Sequence, residues 1–236
     1  MTSRIAIIPA RGGSKRIPNK NIRDFCGKPM ISYILRAARD SGLFDVIHVS
    51  TESSGIRDVV EGLGFPVDFM RPEALADDYT PIMPVLRHVL ESYVSQGKHF
   101  GQVWILMACA PLVEMRDLQQ AAECFDSAGG REPLLAVAEF PVPVERSFRR
   151  GNDGRLTPVQ PEMFPVRSQD LDRKYYDAGS FAVFPAESVF QSKGAGSGFG
   201  FVSYVLPRWK AIDIDEEADW ALAEVMYQVA QKRVGW

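Results

Sequence analysis

The chain alternates short apolar runs with amphipathic stretches from its first residues onward. Arg4–Ile8 is of strand length, and every residue after the arginine is apolar, the pattern of a strand buried on both faces. A glycine-containing loop, Pro9–Asn21, follows it. Pro29 suits an early helical position, and the spacing of Ile31, Ile34, Leu35 and Ala38 predicts a helix over Met30–Asp40. Val46–Ser50 reads as a second strand, Ser54–Leu63 as a helix closed by Gly64, and Phe65–Phe69 as a short extended piece. Beyond these come a helix from about Pro84 to Tyr93, a strand Gln102–Met107, a helix Met115–Ser127 and a strand Leu134–Ala138. Such alternation predicts an α/β fold, with crossover units on a doubly wound, mostly parallel sheet. Ligands bind such sheets outside the carboxyl ends of the strands, so the loop after the first strand is the first place to look.

The pattern breaks between about residues 140 and 179, where Pro141, Pro143, Pro158, Pro161 and Pro165 crowd a segment of mixed charge. Some forty residues of plain loop are uncommon inside a compact chain. The segment is therefore read as an extended arm with short strands, inserted in a single domain that spans residues 1–236 and used for oligomer contact or for closing a site. Gly179–Pro185 and Phe201–Leu206 return to strand character, with a flexible stretch expected at Gly194–Gly200. A terminal helix from about Glu216 to Lys232 carries Ala218, Leu222, Val225 and Val229 on one face, the side expected to pack inward.

Composition changes this picture by exclusion. Net charge is −3, so no global basic field points to nucleic acid. No stretch approaches the roughly 18 apolar residues that cross a bilayer, and no basic segment with an apolar run opens the chain; the expectation is a cytoplasmic protein without membrane contact. Cys26, Cys109 and Cys124 form no CxxC pair, and His48, His88 and His99 show no metal-ligand spacing. These are read as free thiols and isolated structural histidines.

Positive charge is instead gathered in the first loop. Arg11, Lys15, Arg16 and Lys20 fall within ten residues, beside Gly12 and Gly13, whose missing side chains let backbone amides approach an anion. A nucleoside triphosphate needs this mixture of amide donors and mobile cations. The loop matches neither GxxxxGK[ST] nor GxGxxG, so the common ATPase and dinucleotide readings lose ground, and a solvated basic turn remains the plain alternative. The run Ile8–Asn21, IPARGGSKRIPNKN, is similar to the signature of the CMP-sialic acid synthetase family, the cytidylyltransferases of nine-carbon acidic sugars, and the similarity extends over nearly the whole chain. The resemblance implies a Rossmann-like nucleotidyltransferase fold and transfer of CMP from CTP to the anomeric hydroxyl of such a sugar, with release of pyrophosphate. It also implies that Arg11, Ser14, Lys20 and Asn21 contact the CTP phosphates and neighbouring groups. Arg71 would help bind the nucleotide, and Asp77–Thr80, Asp78 and Thr80 among them, would lie near the base or ribose.

Asp213-Ile-Asp215 precedes the terminal helix. In an extended segment residues two apart point the same way, so both carboxylates can face one site and offer hard oxygen ligands to Mg²⁺. The alternative is that Asp215 caps the helix and Asp213 is solvated. The family places its metal-binding aspartates in such a pair, so the resemblance favours Mg²⁺ and assigns catalysis to Arg11, Lys20, Asp213 and Asp215.

Two stretches speak to the acceptor. Sialic acid enzymes carry a glutamine where Leu106-Met-Ala-Cys-Ala-Pro-Leu112 places Met107, which either alters the sugar contact or packs a strand. Arg167-Ser-Gln-Asp-Leu171 and Tyr175-Tyr-Asp-Ala-Gly179 are more similar to pseudaminic acid cytidylyltransferases. Arg167 would hold the sugar carboxylate, with Gln169, Tyr176 and Asp177 around it; a polar arm serving only dimer contact is the alternative. Pseudaminic acid is the expected acceptor, ahead of legionaminate or N-acetylneuraminate. The family also implies a homodimer in which the arm reaches the partner's site. A nucleotidyltransferase making a different product, such as a nucleotide-linked hexose from UTP or GTP, and a nucleotide-binding protein of this fold without catalysis are the remaining alternatives.

Overall fold

The computed structural model describes residues 2–192 and 200–233, so nearly all of the stretch expected to be flexible, Gly194–Gly200, lies outside the described residues. The chain opens with β1 (Arg4–Pro9), and its apolar run is buried throughout. Two short strands, β2 (Asp24–Phe25) and β3 (Lys28–Pro29), form a hairpin turned by Cys26 and Gly27 at positive φ. Pro29 therefore pairs with Asp24 instead of entering the helix, and α1 (Ile31–Ser41) begins two residues after it. β4 (Val46–Ser50) leads to α2 (Ser54–Gly62), whose first turn is capped by the Ser53 hydroxyl accepting the Ile56 amide. Phe65–Phe69 forms no strand: Phe65 is buried in the core and Phe69 stacks on His48, so side chains hold this segment without a ladder.

α3 (Ile82–Val94) starts two residues ahead of the expected Pro84, which occupies the first turn, where a missing N–H costs nothing. β5 (Gln102–Leu106), α4 (Met115–Ser127) and β6 (Leu134–Glu139) follow. The arm then carries β7 (Phe148–Arg150) and β8 (Leu156–Pro158), an antiparallel pair separate from the main sheet. The chain returns in β9 (Tyr175–Pro185), turns through α5 (Ala186–Gln191) and ends with β10 (Val202–Val205) and α6 (Glu217–Arg233).

The six-stranded sheet has the order β10-β6-β9-β5-β1-β4, parallel at β1–β4, β1–β5 and β6–β10, with β9 antiparallel to both neighbours. Alternation along the strands sorts the core into two layers. Ala6, Ile8, Trp104, Leu106, Phe181 and Val183 pack with α1, α2 and α4, while Ile5, Ile7, Val103, Ile105, Ala182 and Phe184 pack with α3 and α5. A sheet buried on both sides explains the continuous apolar runs in the sequence. Because β1 lies between β4 and β5, the crossovers leave it in opposite directions, and the crevice of the fold opens at its carboxyl end.

A third cluster binds the two ends of the chain together. Ile17 of the first loop, Phe25, Met30 and Tyr33 pack against Ile214, Trp220 and Ala223. α6 thus turns Trp220 and Ala223 inward, contrary to the expected face: Leu222 and Val225 are 52% and 55% exposed. Apolar residues surround this helix, so spacing alone does not choose its inner side; edge-to-face contacts of Phe25 with Tyr33, Trp220 and Tyr227 do. The arm is shorter than its sequence boundaries, because Tyr175 and Tyr176 already pair with Glu139 and Ala138 in the main sheet. Its root is closed by the Phe140 amide donating to the Lys174 carbonyl at 3.0 Å.

Candidate active site

The crevice at the end of β1 is a cleft of about 320 Å³ lined from both ends of the chain. Arg11, Ser14, Lys15, Arg16, Lys20 and Asn21 come from the first loop, Arg71, Asp77, Asp78 and Thr80 from the segment before α3, Met107 and Cys109 from the end of β5, and Asp213 and Asp215 from the approach to α6. The third core cluster is the reason they meet. Ile214 is fully buried there, burial worth roughly 1.5–3 kcal/mol, and the flanking aspartates are left to face the cleft. Lys20 Nζ donates to the Ile214 carbonyl at 2.6 Å and lies 3.5 Å from Asp215 Oδ1, and Arg16 reaches the same oxygen at 2.8 Å. Asp215 does not cap α6. That task falls to Asp219, whose carboxylate accepts the amides of Asp215 and Glu216.

Asp213 is half-buried, and its carboxyl is held above the usual carboxylate range by burial first and the Asp215 charge second, against the pull of Lys20. It approaches β9 at Gly179, where a Cβ would stand 3.1 Å from Asp213 Cγ and where φ is +61°. The ladder is interrupted here, for the register of β9 against β6 shifts between the pairs Leu135–Ala182 and Val137–Asp177. Asp177 Oδ1 accepts the Gly179 amide at 2.9 Å and fixes the turn.

Arg71 is buried, unlike a surface charge. Its Nε donates to Ser50 Oγ at 3.0 Å and its Nη2 to the Ser50 carbonyl at 2.6 Å. Asn21 is also buried, and both ends of its amide are engaged: Nδ2 donates to the Arg11 carbonyl at 2.9 Å, and Oδ1 accepts from the Cys109 thiol at 3.3 Å. Burial pushes that thiol up to about 12, so it stays protonated as a donor. Gly12 serves packing: its amide donates to Glu52 Oε1 at 2.6 Å, and a Cβ would lie 3.0 Å from Ser53 Cβ. Gly13 is exposed, with open space where its side chain would be.

Not every predicted residue reaches the cleft. Arg167 is exposed on the arm and pairs with Asp170 at 2.8 Å, Gln169 is exposed, and Tyr176 packs on the ring of Phe140. Sequence reasoning gave no site role to Glu52, Cys109 or Gly179, although the last two lie in the stretches read for the acceptor. Glu52 follows the carboxyl end of β4, where the rule for open sheets already directs attention.

A model of the family described as cytidylyltransferase matches residues 5–129. A pseudaminic acid cytidylyltransferase of Campylobacter jejuni is 36% identical over 95% of this chain and 96% of its own length. This chain belongs to the cytidylyltransferase family. The cytidylyltransferase is also similar to a CMP-N,N'-diacetyllegionaminic acid synthase of Legionella pneumophila, 30% identical over 97% of both chains. Among solved structures it shares its fold with a CMP:2-keto-3-deoxy-manno-octonic acid synthetase complexed with CTP, at a TM-score of 0.69 and 16% identity, over 98% of this chain and all of that one.

The donor set at Asp213 and Asp215 fits a hard divalent cation. Two carboxylates face one cleft, and Asp213, held above its usual range by burial first and by the Asp215 charge second, would be relieved of that repulsion by a cation between them. Among the described residues no group of three or more His, Cys, Asp or Glu side chains could hold a metal. Two protein ligands with the balance from substrate phosphates and water is the usual arrangement for Mg²⁺. Among the described residues no helix is long and apolar enough to cross a membrane.

Proposed function

We propose that this cytidylyltransferase transfers CMP from CTP to the anomeric hydroxyl of a nine-carbon acidic sugar, pseudaminic acid first among them, and releases pyrophosphate. The observation that carries the reading is the contact across the cleft, Lys20 Nζ on the Ile214 carbonyl and beside Asp215, which sets the cationic loop against the aspartate pair. In this reading Arg11, Ser14, Lys15 and Lys20 take the triphosphate, and Arg71 and Thr80 the cytidine. The hydroxyl attacks the α-phosphorus in line and gives up its proton to solvent; the P–O bond to the β-phosphate breaks, and pyrophosphate leaves with its charge offset by Arg11 and Lys20. Asp213 and Asp215 would hold Mg²⁺, which when bound would polarise the phosphate oxygens and lower the pKa of a hydroxyl near it. No covalent enzyme intermediate is needed.

The acceptor reading rests on the Campylobacter relative and on Met107, a 38% exposed residue that gives the cleft an apolar wall where an amide would hydrogen-bond. The arm carries Arg167 and Gln169 away from the cleft of its own chain, which supports a homodimer in which they complete the partner's sugar site. Cytoplasmic location accords with CTP as substrate.

The test is pyrophosphate release from CTP and Mg²⁺ with a panel of acceptors. Pseudaminic acid should turn over fastest, with legionaminic and N-acetylneuraminic acids slower. Preference for either of those would move the acceptor assignment, and pyrophosphate release with a hexose 1-phosphate but with none of these acids would overturn the reading.

A further inference from the structure

Two of the cations proposed for the phosphates are already engaged. Asp78 bridges them: Oδ1 accepts from Arg11 Nη1, and Oδ2 accepts from Lys15 Nζ. The bridge is built into the loop. Asp77 Oδ1 accepts the amides of Tyr79 and Thr80 at 2.7 and 2.6 Å, which shapes the turn, and the Asp77 carbonyl accepts from Arg11 at 3.4 Å. Lys15 and Arg11 hold the Asp78 carboxyl below the usual carboxylate range, so it is an anion at neutral pH. A carboxylate with one oxygen on each of two cations makes the contacts that two oxygens of a polyphosphate would make.

While the bridge stands, Asp78 occupies Arg11 Nη1 and one N–H of Lys15 and sets a negative charge beside both, so it competes with a polyphosphate for these two cations. We infer that Asp78 is an internal stand-in for phosphate, a specificity-determining residue that must be displaced when CTP binds, and not a ligand of the base or ribose. The inference rests on the reading that the first loop takes the nucleotide phosphates. Displacement makes binding an exchange of anions, so the apparent affinity falls by the fraction of molecules in which the bridge is open. That penalty bears only on ligands that need Arg11 and Lys15. CTP pays it and cytidine does not, while a nucleotide of lower charge has less attraction with which to offset it. The bridge therefore weights the cleft toward the fully charged substrate.

Calorimetric titration of CTP and cytidine into wild type, Asp78→Asn and Asp78→Glu tests this. Asp78 is on the surface loop and pairs only across the cleft, so folding should survive; thermal melts check it. Two exposed ion pairs predict that Asp78→Asn binds CTP about five-fold tighter. Cytidine affinity should stay within about two-fold, because no phosphate contact is at stake. Asp78→Glu should behave as wild type, and in turnover Asp78→Asn should lower KM for CTP without raising kcat. Parallel weakening of CTP and cytidine would make Asp78 a base or ribose ligand and overturn the inference, as would unchanged CTP affinity. Failure of wild type to bind CTP at all would instead remove the nucleotide reading, and the inference with it.

Discussion

Gly12 shows how one residue couples the first loop to the sheet. Its position is set by close approach, with the Glu52 carboxylate on its amide and Ser53 against its Cα. A methyl group there meets Ser53 Cβ at 3.0 Å, and Ser53 is committed to capping α2. Gly12→Ala should therefore cost about 1–3 kcal/mol of stability, with a raised KM for CTP because Arg11 shifts with the loop. Adding Ser53→Gly removes the obstructing Cβ at little expense to the cap, so the double variant should recover most of the loss. Chemical denaturation of the single and double variants checks this, and a double variant less stable than Gly12→Ala would show the obstruction to lie elsewhere. Neither residue's partner was visible in the sequence. Glycine beside cations suggested amides offered to an anion, whereas the structure commits the Gly12 amide to a carboxylate forty residues away.

At the scale of elements, β4 is joined to α3 by a buried polar relay. Tyr93 of α3 donates its proton to Asp68 at 2.7 Å, so its oxygen accepts from His48 Nδ1 at 3.1 Å, which assigns the neutral Nδ1–H tautomer to the histidine. Burial pushes His48 down to about 4, with Asp68 opposing and His88 and Arg71 adding to the fall. The unfolded chain then binds a proton between about pH 6.5 and 4 that the folded chain refuses, so stability is full above pH 6.5 and falls as pH drops toward 4. Over that window wild type should lose roughly 3 kcal/mol relative to His48→Asn; a constant difference between the two would contradict the assignment. Elements themselves were largely legible, because a sheet buried on both faces writes its strands as apolar runs: β4 and α4 have the bounds their patterns predict. Legibility failed where local pattern competed with distant partners. Pro29 suits a helix start but pairs in a hairpin, β9 begins at Tyr175 because Glu139 and Ala138 await it, and α6 takes its inner face from aromatic rings far away in sequence.

For the whole molecule, the loop after the first strand and the aspartate pair before the last helix are about two hundred residues apart in sequence, yet one apolar cluster seats them in one cleft. Their juxtaposition was an expectation from resemblance; no periodicity contains it. The arm makes the opposite case, since Arg167 lies outside the cleft of its own chain. If the arm completes a partner's site, Arg167→Ala and Asp215→Asn should each be nearly inactive, and a mixture allowed to exchange subunits should regain about one quarter of wild-type activity, one intact site in each hybrid dimer. Absence of recovery in verified hybrids would confine each site to one chain. Cleavage of CTP at the α-phosphorus is followed directly by phosphorus NMR of CTP, Mg²⁺ and pseudaminic acid with the enzyme. The three CTP resonances should give way to one phosphodiester and to pyrophosphate in equal amounts; CDP with orthophosphate, or CTP left unchanged with every acidic sugar tried, would contradict it.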